Sequence, residues 1–276
     1  MTRARTVALI AGLGRLPQVI VDALDRAGEA VVIAALQGFE PDLPGHAVDA
    51  FRLERLVPFL DRLADRGVTH ICLAGAVRRP ALDPELFDAR TAMLVPRIVA
   101  AMRPGDDSTL RTFLAIFEEH GFAILGAHDL APELLPVEGV PTRATPGAEA
   151  AAGARLGEAA VAELGQTDTG QACVVAGGAV IAREGPEGTD AMLAALPTGV
   201  AAGRSGLLFK APKPGQDRRA DLPVIGPETA RGAAAAGLGG IVIEAGGVMV
   251  LDLPQVIAIL DAQGMFLWVR PAGDVA

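Results

Sequence analysis

The alternation of short apolar runs with amphipathic segments in the first 127 residues most constrains the fold of this chain. The apolar runs are typical of buried strands, and the segments between them have helical periodicity. The expected strands are 7–11, 31–36, 70–74 and 122–126, and the expected helices are 17–27, 56–66, 91–102 and 108–119. Apolar strands separated by helices pair in parallel, with helices on both faces. The sequence therefore predicts an α/β protein with an N-terminal Rossmann-like parallel sheet.

A second domain is expected after a proline-rich linker. Residues 129–146 contain four prolines, and an Ala-rich helix is predicted at 148–164. Two later segments, CVVAGGAVIA (173–182) and IVIEAGGVMVL (241–251), each place Gly-Gly between β-branched runs. Such a pair supplies the positive φ angles of a tight hairpin. We therefore expect domains at 1–128 and 147–276, the second a mixed α/β domain with two hairpins.

Composition excludes several classes of protein. A formal net charge of −9 argues against a general nucleic-acid binder. Two distant cysteines argue against a disulfide framework or a zinc site. The basic N-terminus precedes an apolar run that ends at Gly12 after about five residues, too short for a signal peptide or a membrane helix. We interpret that run as a first strand and expect a cytosolic protein.

The glycine loop IAGLGRLP (10–17) joins the first strand to the first helix. Gly12, Leu13 and Gly14 are candidates to hold a phosphate or a uridine, because such a loop presents backbone N–H groups and a helix N-terminus. A dinucleotide fingerprint is incomplete, since Pro17 replaces the third glycine and Gln37, not an acid, follows the second strand. A tight turn without a ligand is the alternative.

The loop AGAVRRP follows the third strand at the carboxyl edge of the sheet, where α/β proteins bind ligands. Gly75, Arg78 and Arg79 are candidates to contact a substrate diphosphate. A pair of solvated surface arginines is the alternative interpretation of the two cations.

Acidic residues precede two predicted helices. In PGDDSTLR, Asp106 and Asp107 can present oxygen ligands to a divalent ion. In EGTDAM, Thr189 and Asp190 are further polar candidates. Helix capping is the alternative for both motifs, because Thr and Asp are favoured at helix N-termini.

The segment KAPKPGQDRRADLP (210–223) combines four cations and two carboxylates with three prolines. Proline restricts the backbone and keeps the preceding residue extended, which predicts a stiffened loop. Lys210 and Lys213 can neutralise phosphate oxygens, while Asp221 can bind a metal or orient a water. Surface salt bridging is the alternative. The remaining charged residues are interpreted as solvated surface positions: Asp217, Arg218 and Arg219.

Several motifs together resemble the UDP-2,3-diacylglucosamine pyrophosphatase family of lipid A biosynthesis, in its alphaproteobacterial-type rather than its calcineurin-like form. The resemblance runs nearly end to end, and residues 210–226 are its most specific part. The motifs are IAGLGRLP, AGAVRRP, PGDDSTLR, Asp-x-Gly-Gln at 168–171, EGTDAM, KAPKPGQDRRADLPVIG and GLGGIVIEAG. Leu13 departs from the family pattern, which has three glycines in the first loop.

The resemblance implies a magnesium-dependent hydrolase with two domains and the ligand between them. Water attacks the sugar-side phosphorus of the diphosphate, giving UMP and 2,3-diacylglucosamine 1-phosphate (lipid X). The first domain would bind nucleotide and phosphate, and the second would carry catalysis and accommodate lipid. The implied catalytic residues are Asp221, Lys210, Lys213 and Asp190. The implied metal ligands are Asp221, Asp106 and Asp107. The implied substrate contacts are Gly12, Leu13, Gly14, Gly75, Arg78, Arg79, Thr189 and Gln171.

The implied partners are an acylated UDP-sugar and, transiently, the cytosolic face of the inner membrane of a Gram-negative bacterium. A homodimer is compatible with the sequence, which does not determine the oligomeric state. Two alternatives of other classes remain at this point: an NAD(P)-type Rossmann oxidoreductase and a non-catalytic nucleotide-binding regulator.

Overall fold

The computed structural model describes residues 5–101, 106–197 and 206–273. The described chain forms two compact units. The first unit comprises the residues up to Pro132 together with Asp217–Asp221. The second comprises Glu133–Gln216 and the residues from Leu222 onward.

The first unit contains a five-stranded parallel sheet with the strand order β3-β2-β1-β4-β5. Its strands are β1 (Val7–Ala11), β2 (Val31–Leu36), β3 (Val48–Phe51), β4 (His70–Ala74) and β5 (Ala123–Leu125). Its helices are α1 (Leu16–Ala27), α2 (Leu56–Asp65), α3 (Ala89–Ala92), α4 (Val95–Ala101), α5 (Asp106–Glu119) and α6 (Ala127–Leu130). The order reverses between β1 and β4, as in a Rossmann-like sheet, so the predicted fold class is confirmed.

The central strand β1 is buried along its whole length. Successive side chains of a strand point to opposite faces, so both faces of the sheet are covered at β1. On one face Ala8 and Ile10 belong to an apolar cluster with Leu60 of α2 and Phe117 of α5. This pattern explains why β1 appears in the sequence as a continuous apolar run.

Two details of the first unit differ from the prediction. Strand β3 (Val48–Phe51) was not predicted, because it lies at the sheet edge and only one of its four residues is buried. The helix expected at 91–102 is instead two helices, α3 and α4. Pro96 has no backbone N–H and favours the first turn of a helix, which is where it lies in α4.

The second unit contains a mixed five-stranded sheet with the order β12-β10-β8-β6-β7 and a separate parallel pair, β9 with β11. Its strands are β6 (Ala172–Ala176), β7 (Ala179–Arg183), β8 (Leu207–Lys210), β9 (Val224–Ile225), β10 (Gly240–Glu244), β11 (Met249–Val250) and β12 (Phe266–Arg270). Its helices are α7 (Ala148–Gln166), α8 (Gly188–Ala194), α9 (Pro227–Ala235) and α10 (Leu253–Ala262). Strands β8, β10 and β12 are mutually parallel, while β6 is antiparallel to both β7 and β8.

Only one of the two predicted hairpins forms. Gly177 and Gly178 both have positive φ, and they connect the antiparallel strands β6 and β7. The second prediction is wrong, because β10 pairs with β8 and β12, and β11 pairs with β9. At the second Gly-Gly a Cβ on Gly247 would lie 2.8 Å from a ring carbon of Pro212. That glycine therefore permits a close approach of Pro212.

Helix α7 packs closely on β8 because small residues face the strand. A Cβ on Gly157 would lie 2.5 Å from the Phe209 side chain, and one on Gly153 would lie 3.0 Å from Leu207. The Ala- and Gly-rich composition of this helix thus serves helix–sheet packing. Over the described parts of the chain, no helix is both long enough and apolar enough to span a bilayer.

Candidate functional site

A buried polar cluster lies at the carboxyl end of β8 in the second unit. Lys210, the last residue of β8, is 8% exposed. Its Nζ donates to Thr189 Oγ1 at 2.7 Å and to the Val224 carbonyl at 3.0 Å. It also lies 3.9 Å from Glu184 Oε1. The lysine predicted to contact phosphate is therefore held by protein acceptors on several sides.

Glu184 is the anionic member of the cluster and was not predicted from the sequence. Its Oε1 accepts the Thr189 hydroxyl, and its Oε2 accepts the backbone N–H of Gln171 at 2.6 Å. The residue is 9% exposed. A Cβ on Gly170 would lie 2.5 Å from the Glu184 carbonyl oxygen, so the glycine of the Asp-x-Gly-Gln motif permits this contact. The one feature of the sequence that could have pointed to Glu184 is its position as an acidic residue directly after a strand.

Gln171 is fixed through its backbone. Besides the bond from its N–H to Glu184, its carbonyl accepts from the Ala211 N–H at 3.1 Å. Its side-chain Oε1 is buried and has no hydrogen-bond partner among the described residues. A carboxamide oxygen is an acceptor, so it suits a donor such as an amide N–H, a hydroxyl or a water rather than a phosphate oxygen. Asp190, beside Thr189 on α8, is exposed.

Lys213 forms a separate ion pair in the second unit. Its Nζ donates to Asp168 Oδ1, and its side chain is 10% exposed. Pro214 packs on α7, where a Cβ on Gly165 would lie 2.6 Å from the proline ring. The predicted stiffness of this part of the segment thus has a packing cause. The structure does not bring Lys213 into the polar contacts around Lys210.

The stretch Asp217–Asp221 is organised within the first unit by Arg219. Its guanidinium donates to both carboxylate oxygens of Asp217 at 3.0 and 2.7 Å, and to Glu118 of α5 at 2.6 Å. These hydrogen bonds lower the pKa of Asp217 and raise that of Arg219. Asp217 and Arg219 are thus partly exposed, as expected for surface positions, but they are bound to each other and to Glu118 rather than only to solvent. Exposed Arg218 lies between them.

Asp221 ends this stretch and is partly buried. The preceding Ala220 packs against the apolar cluster of the first unit. Asp106 and Asp107 begin α5, but their side chains lie outside the described residues. Among the side chains that are described, no group of three or more His, Cys, Asp or Glu is arranged to hold a metal ion.

The glycine loop of the first unit is bonded to the loop after β4. Gly12 N–H donates to the Ala74 carbonyl, and Leu13 and Ala76 exchange two backbone hydrogen bonds at 2.9 and 2.8 Å. These three N–H groups are therefore committed within the protein. A Cβ on Gly12 would lie 2.6 Å from the Ala76 carbonyl oxygen, which gives a steric reason for glycine there. The Leu13 side chain is 42% exposed, so it does not fill the turn.

The loop after β4 requires glycine as well. Gly75 has a φ of +94°, and a Cβ there would lie 2.8 Å from the Gly12 backbone. Arg78 and Arg79 follow in the same loop and are exposed. Gly14, which precedes α1, has a φ of +98°. The candidate substrate contacts of the first unit thus lie on two loops at one edge of its sheet.

Thiol chemistry is not indicated at either cysteine. Cys72 lies in β4 and Cys173 in β6, and both are buried without a disulfide. Burial raises the pKa of each thiol to about 12. A neutral buried thiol is a poor nucleophile and a poor metal ligand.

Comparison with known proteins gives concordant matches for both halves of the chain. The model of the LpxI N-terminal domain matches residues 6–134, and that of the LpxI C-terminal domain matches residues 137–268. UDP-2,3-diacylglucosamine pyrophosphatase LpxI of Caulobacter vibrioides is 39% identical over 270 residues. The alignment covers 95% of this chain and 96% of that protein.

Proposed function

This chain belongs to the LpxI family, and from that premise we propose that it hydrolyses the diphosphate bridge of UDP-2,3-diacylglucosamine in lipid A biosynthesis. The products are UMP and 2,3-diacylglucosamine 1-phosphate. The observation that carries the proposal is the 39% sequence identity, over 95% of this chain, to UDP-2,3-diacylglucosamine pyrophosphatase LpxI of Caulobacter vibrioides.

In the proposed reaction a water oxygen forms a bond to the sugar-side phosphorus. The bond from that phosphorus to the bridging oxygen breaks, and UMP leaves with that oxygen. The attacking water loses a proton to the surrounding solvent, and the negative charge that builds up on the phosphate oxygens must be stabilised. We assign Asp221 to orient this water. The assignment is supported by the anchoring of its stretch through Arg219 and Ala220, which limits where its carboxylate lies.

Lys210 is proposed to act through its positive charge. Its ammonium is fixed by Thr189 and Val224, so its charge stays at the carboxyl end of β8. A fixed charge needs no reorganisation during the reaction, which is the most effective form of electrostatic stabilisation. Lys213 is proposed as a second cation for the diphosphate, and binding there requires competition with Asp168.

Magnesium is part of the proposal, with Asp221 as its protein ligand. Mg²⁺ is commonly held by one or two carboxylates together with substrate phosphates, so a carboxylate such as that of Asp221 suits its chemistry. When bound, the ion would neutralise phosphate oxygens. Asp106 and Asp107 remain predicted metal ligands beside Asp221, and Asp190 remains a predicted catalytic residue.

The acyl chains of the substrate place it in a bilayer, so we also propose transient association with the membrane surface. Flotation with vesicles that contain the substrate tests this point. A homodimer stays a prediction, for which light scattering is the direct measurement.

The proposed function is tested by supplying purified protein with UDP-2,3-diacylglucosamine and separating the products. We expect UMP and 2,3-diacylglucosamine 1-phosphate in equal amounts. Reaction in ¹⁸O-labelled water should label the sugar phosphate and not UMP. EDTA should abolish turnover and added Mg²⁺ should restore it. Absence of UMP from every acylated UDP-sugar would refute the proposed function, and full turnover in EDTA would refute only the metal requirement.

A further inference from the structure

Glu184 connects three elements of the second unit that the sequence motifs treat separately. It follows β7, accepts a hydrogen bond from Thr189 of α8 and another from the backbone of Gln171, and lies near Lys210 of β8. Both oxygens of its carboxylate are therefore engaged.

The hydrogen bonds around Glu184 have a fixed direction. A hydroxyl group has one proton to donate, and Thr189 gives it to Glu184. A lone pair of Thr189 Oγ1 is then directed to the Lys210 ammonium at 2.7 Å. Without the carboxylate the hydroxyl could turn, and the Gln171 N–H would lose its acceptor. Glu184 therefore determines how Lys210 and Gln171 are both held.

The burial of this cluster also needs an explanation. Taking an ammonium and a carboxylate out of water costs more than packing apolar side chains in the same volume. Lys210, Glu184 and Thr189 are each at least nine-tenths buried. Stability alone would be served by an apolar replacement, which favours a role for the cluster in function.

We propose that Glu184 is a positioning residue for the hydrolytic reaction. It sets the location of the Lys210 ammonium through Thr189 and the location of the Gln171 carboxamide through the backbone. The inference rests on the proposed function, and it adds a residue that contacts neither the reacting atoms nor the substrate in our assignment.

A positioning role predicts a specific kinetic signature. A displaced stabilising charge weakens transition-state binding more than substrate binding, so kcat should fall while KM changes little. Misplacement by about 1 Å is enough to cost on the order of 10²-fold.

The test is Glu184→Gln, which keeps the size of the side chain and removes its charge. We expect kcat for UDP-2,3-diacylglucosamine to fall at least about tenfold and KM to stay within about threefold. Glu163→Gln is the matched control, because Glu163 of α7 makes an exposed ion pair with Arg183, the last residue of β7. It should keep wild-type kcat. Thermal unfolding of each variant gives the folded fraction at the assay temperature.

Thr189 provides a second test. Thr189→Val removes the hydroxyl and should lower kcat about as much as Glu184→Gln, whereas Thr189→Ser keeps the hydroxyl and should stay within about threefold of wild type. Combining Glu184→Gln with Thr189→Val should cost little more than either change alone, because both act through the same contacts.

The outcomes separate this inference from the proposed function. Wild-type kcat in folded Glu184→Gln, or costs that multiply in the double variant, would overturn the positioning role. If Glu184→Gln does not fold, equal kcat in Thr189→Val and Thr189→Ser would overturn it. A wild-type protein that releases no UMP refutes the proposed function and this inference with it.

Discussion

The segment 210–221 carries charged residues in both of its halves, yet the two halves are held by different interactions. In the half that begins at Lys210, the cation is buried and bound by a hydroxyl, a carbonyl and a nearby carboxylate of the second unit. In the half that ends at Asp221, Arg219 makes a partly exposed ion network within the first unit. A single charged segment of the sequence is therefore held by two different sets of contacts, one buried and one partly exposed.

The two sets of contacts differ in how much free energy of unfolding is lost when each is broken. A buried cation leaves an uncompensated charge behind when its partner is removed, whereas an exposed ion pair is replaced by water. Chemistry should depend on both halves, since each carries a residue assigned to catalysis. Stability should depend much more on the first.

The largest expected effect is on turnover when Asp221 is changed. Asp221→Asn keeps the shape and removes the charge, so kcat should fall roughly 10²- to 10⁴-fold, as for loss of a group that orients or deprotonates water. The measurement is UMP release at saturating substrate and Mg²⁺. Asp61→Asn, which breaks an exposed pair with Arg90 in the same unit, should leave kcat unchanged. Turnover within about threefold of wild type in Asp221→Asn would remove Asp221 from the mechanism.

The two lysines should differ in their contribution to the free energy of unfolding. Lys210→Met leaves the buried Glu184 without its nearby cation and should cost about 3–5 kcal/mol. Lys213→Met removes a cation that is as buried as Lys210, but its Asp168 partner is 27% exposed and can be solvated, so the cost should be about 1 kcal/mol. Urea titration monitored by circular dichroism gives both values. Equal costs would contradict the distinction between the two lysines.

Much of the first sheet was predictable because its strands are buried on both faces. Strands β1, β2 and β4 have the predicted bounds, since a continuous apolar run between helices has few other interpretations. Edge strand β3 lacks such a run and was missed. The mixed α/β class of the second unit was predicted correctly, but only the first of the two predicted hairpins forms.

Local sequence could not distinguish the two Gly-Gly segments. Gly177, Gly178 and Gly246 each have a positive φ in a turn, whereas Gly247 permits a contact with Pro212, thirty-five positions earlier in the chain. The sequence shows glycine in both cases, whether the residue is required by the close approach of a distant neighbour or by its own positive φ angle. Strand partners set by such contacts become visible only in the folded chain.

The site was predictable only in part for the same reason. Lys210, Thr189 and Gln171 were identified from motifs, and the structure brings these three together. Glu184 was missed because its importance comes from its neighbours in space and not from its own motif. The contacts of Arg219 were not predicted because its partner Glu118 is about a hundred positions away in the sequence. Charged residues are common in any sequence, and only their contacts in the folded chain distinguish those of a site from ordinary surface charges.

The smallest expected effect concerns the Arg219 network and its dependence on pH. Arg219 lowers the pKa of Asp217, so the folded carboxyl binds its proton at a lower pH than the unfolded one. The stabilisation is therefore fully present above the unfolded pKa of about 3.9 and is lost as pH falls through the folded pKa. Arg219→Ala should cost about 1 kcal/mol or less at pH 7, because the network is partly exposed.

The pH series decides whether this stabilisation is ionic. Unfolding free energies of wild type and Arg219→Ala, measured in urea from pH 7 down to the lowest pH at which both fold, should converge below about pH 4. They should also converge at pH 7 in about 1 M salt, where the screening length is about 3 Å. Arg231→Ala, which breaks an exposed pair with Glu228 in the second unit, controls for loss of a surface arginine. A difference that is unchanged by acid and by salt would show that Arg219 holds its loop by packing, and the contrast between the two halves would then lose its electrostatic basis.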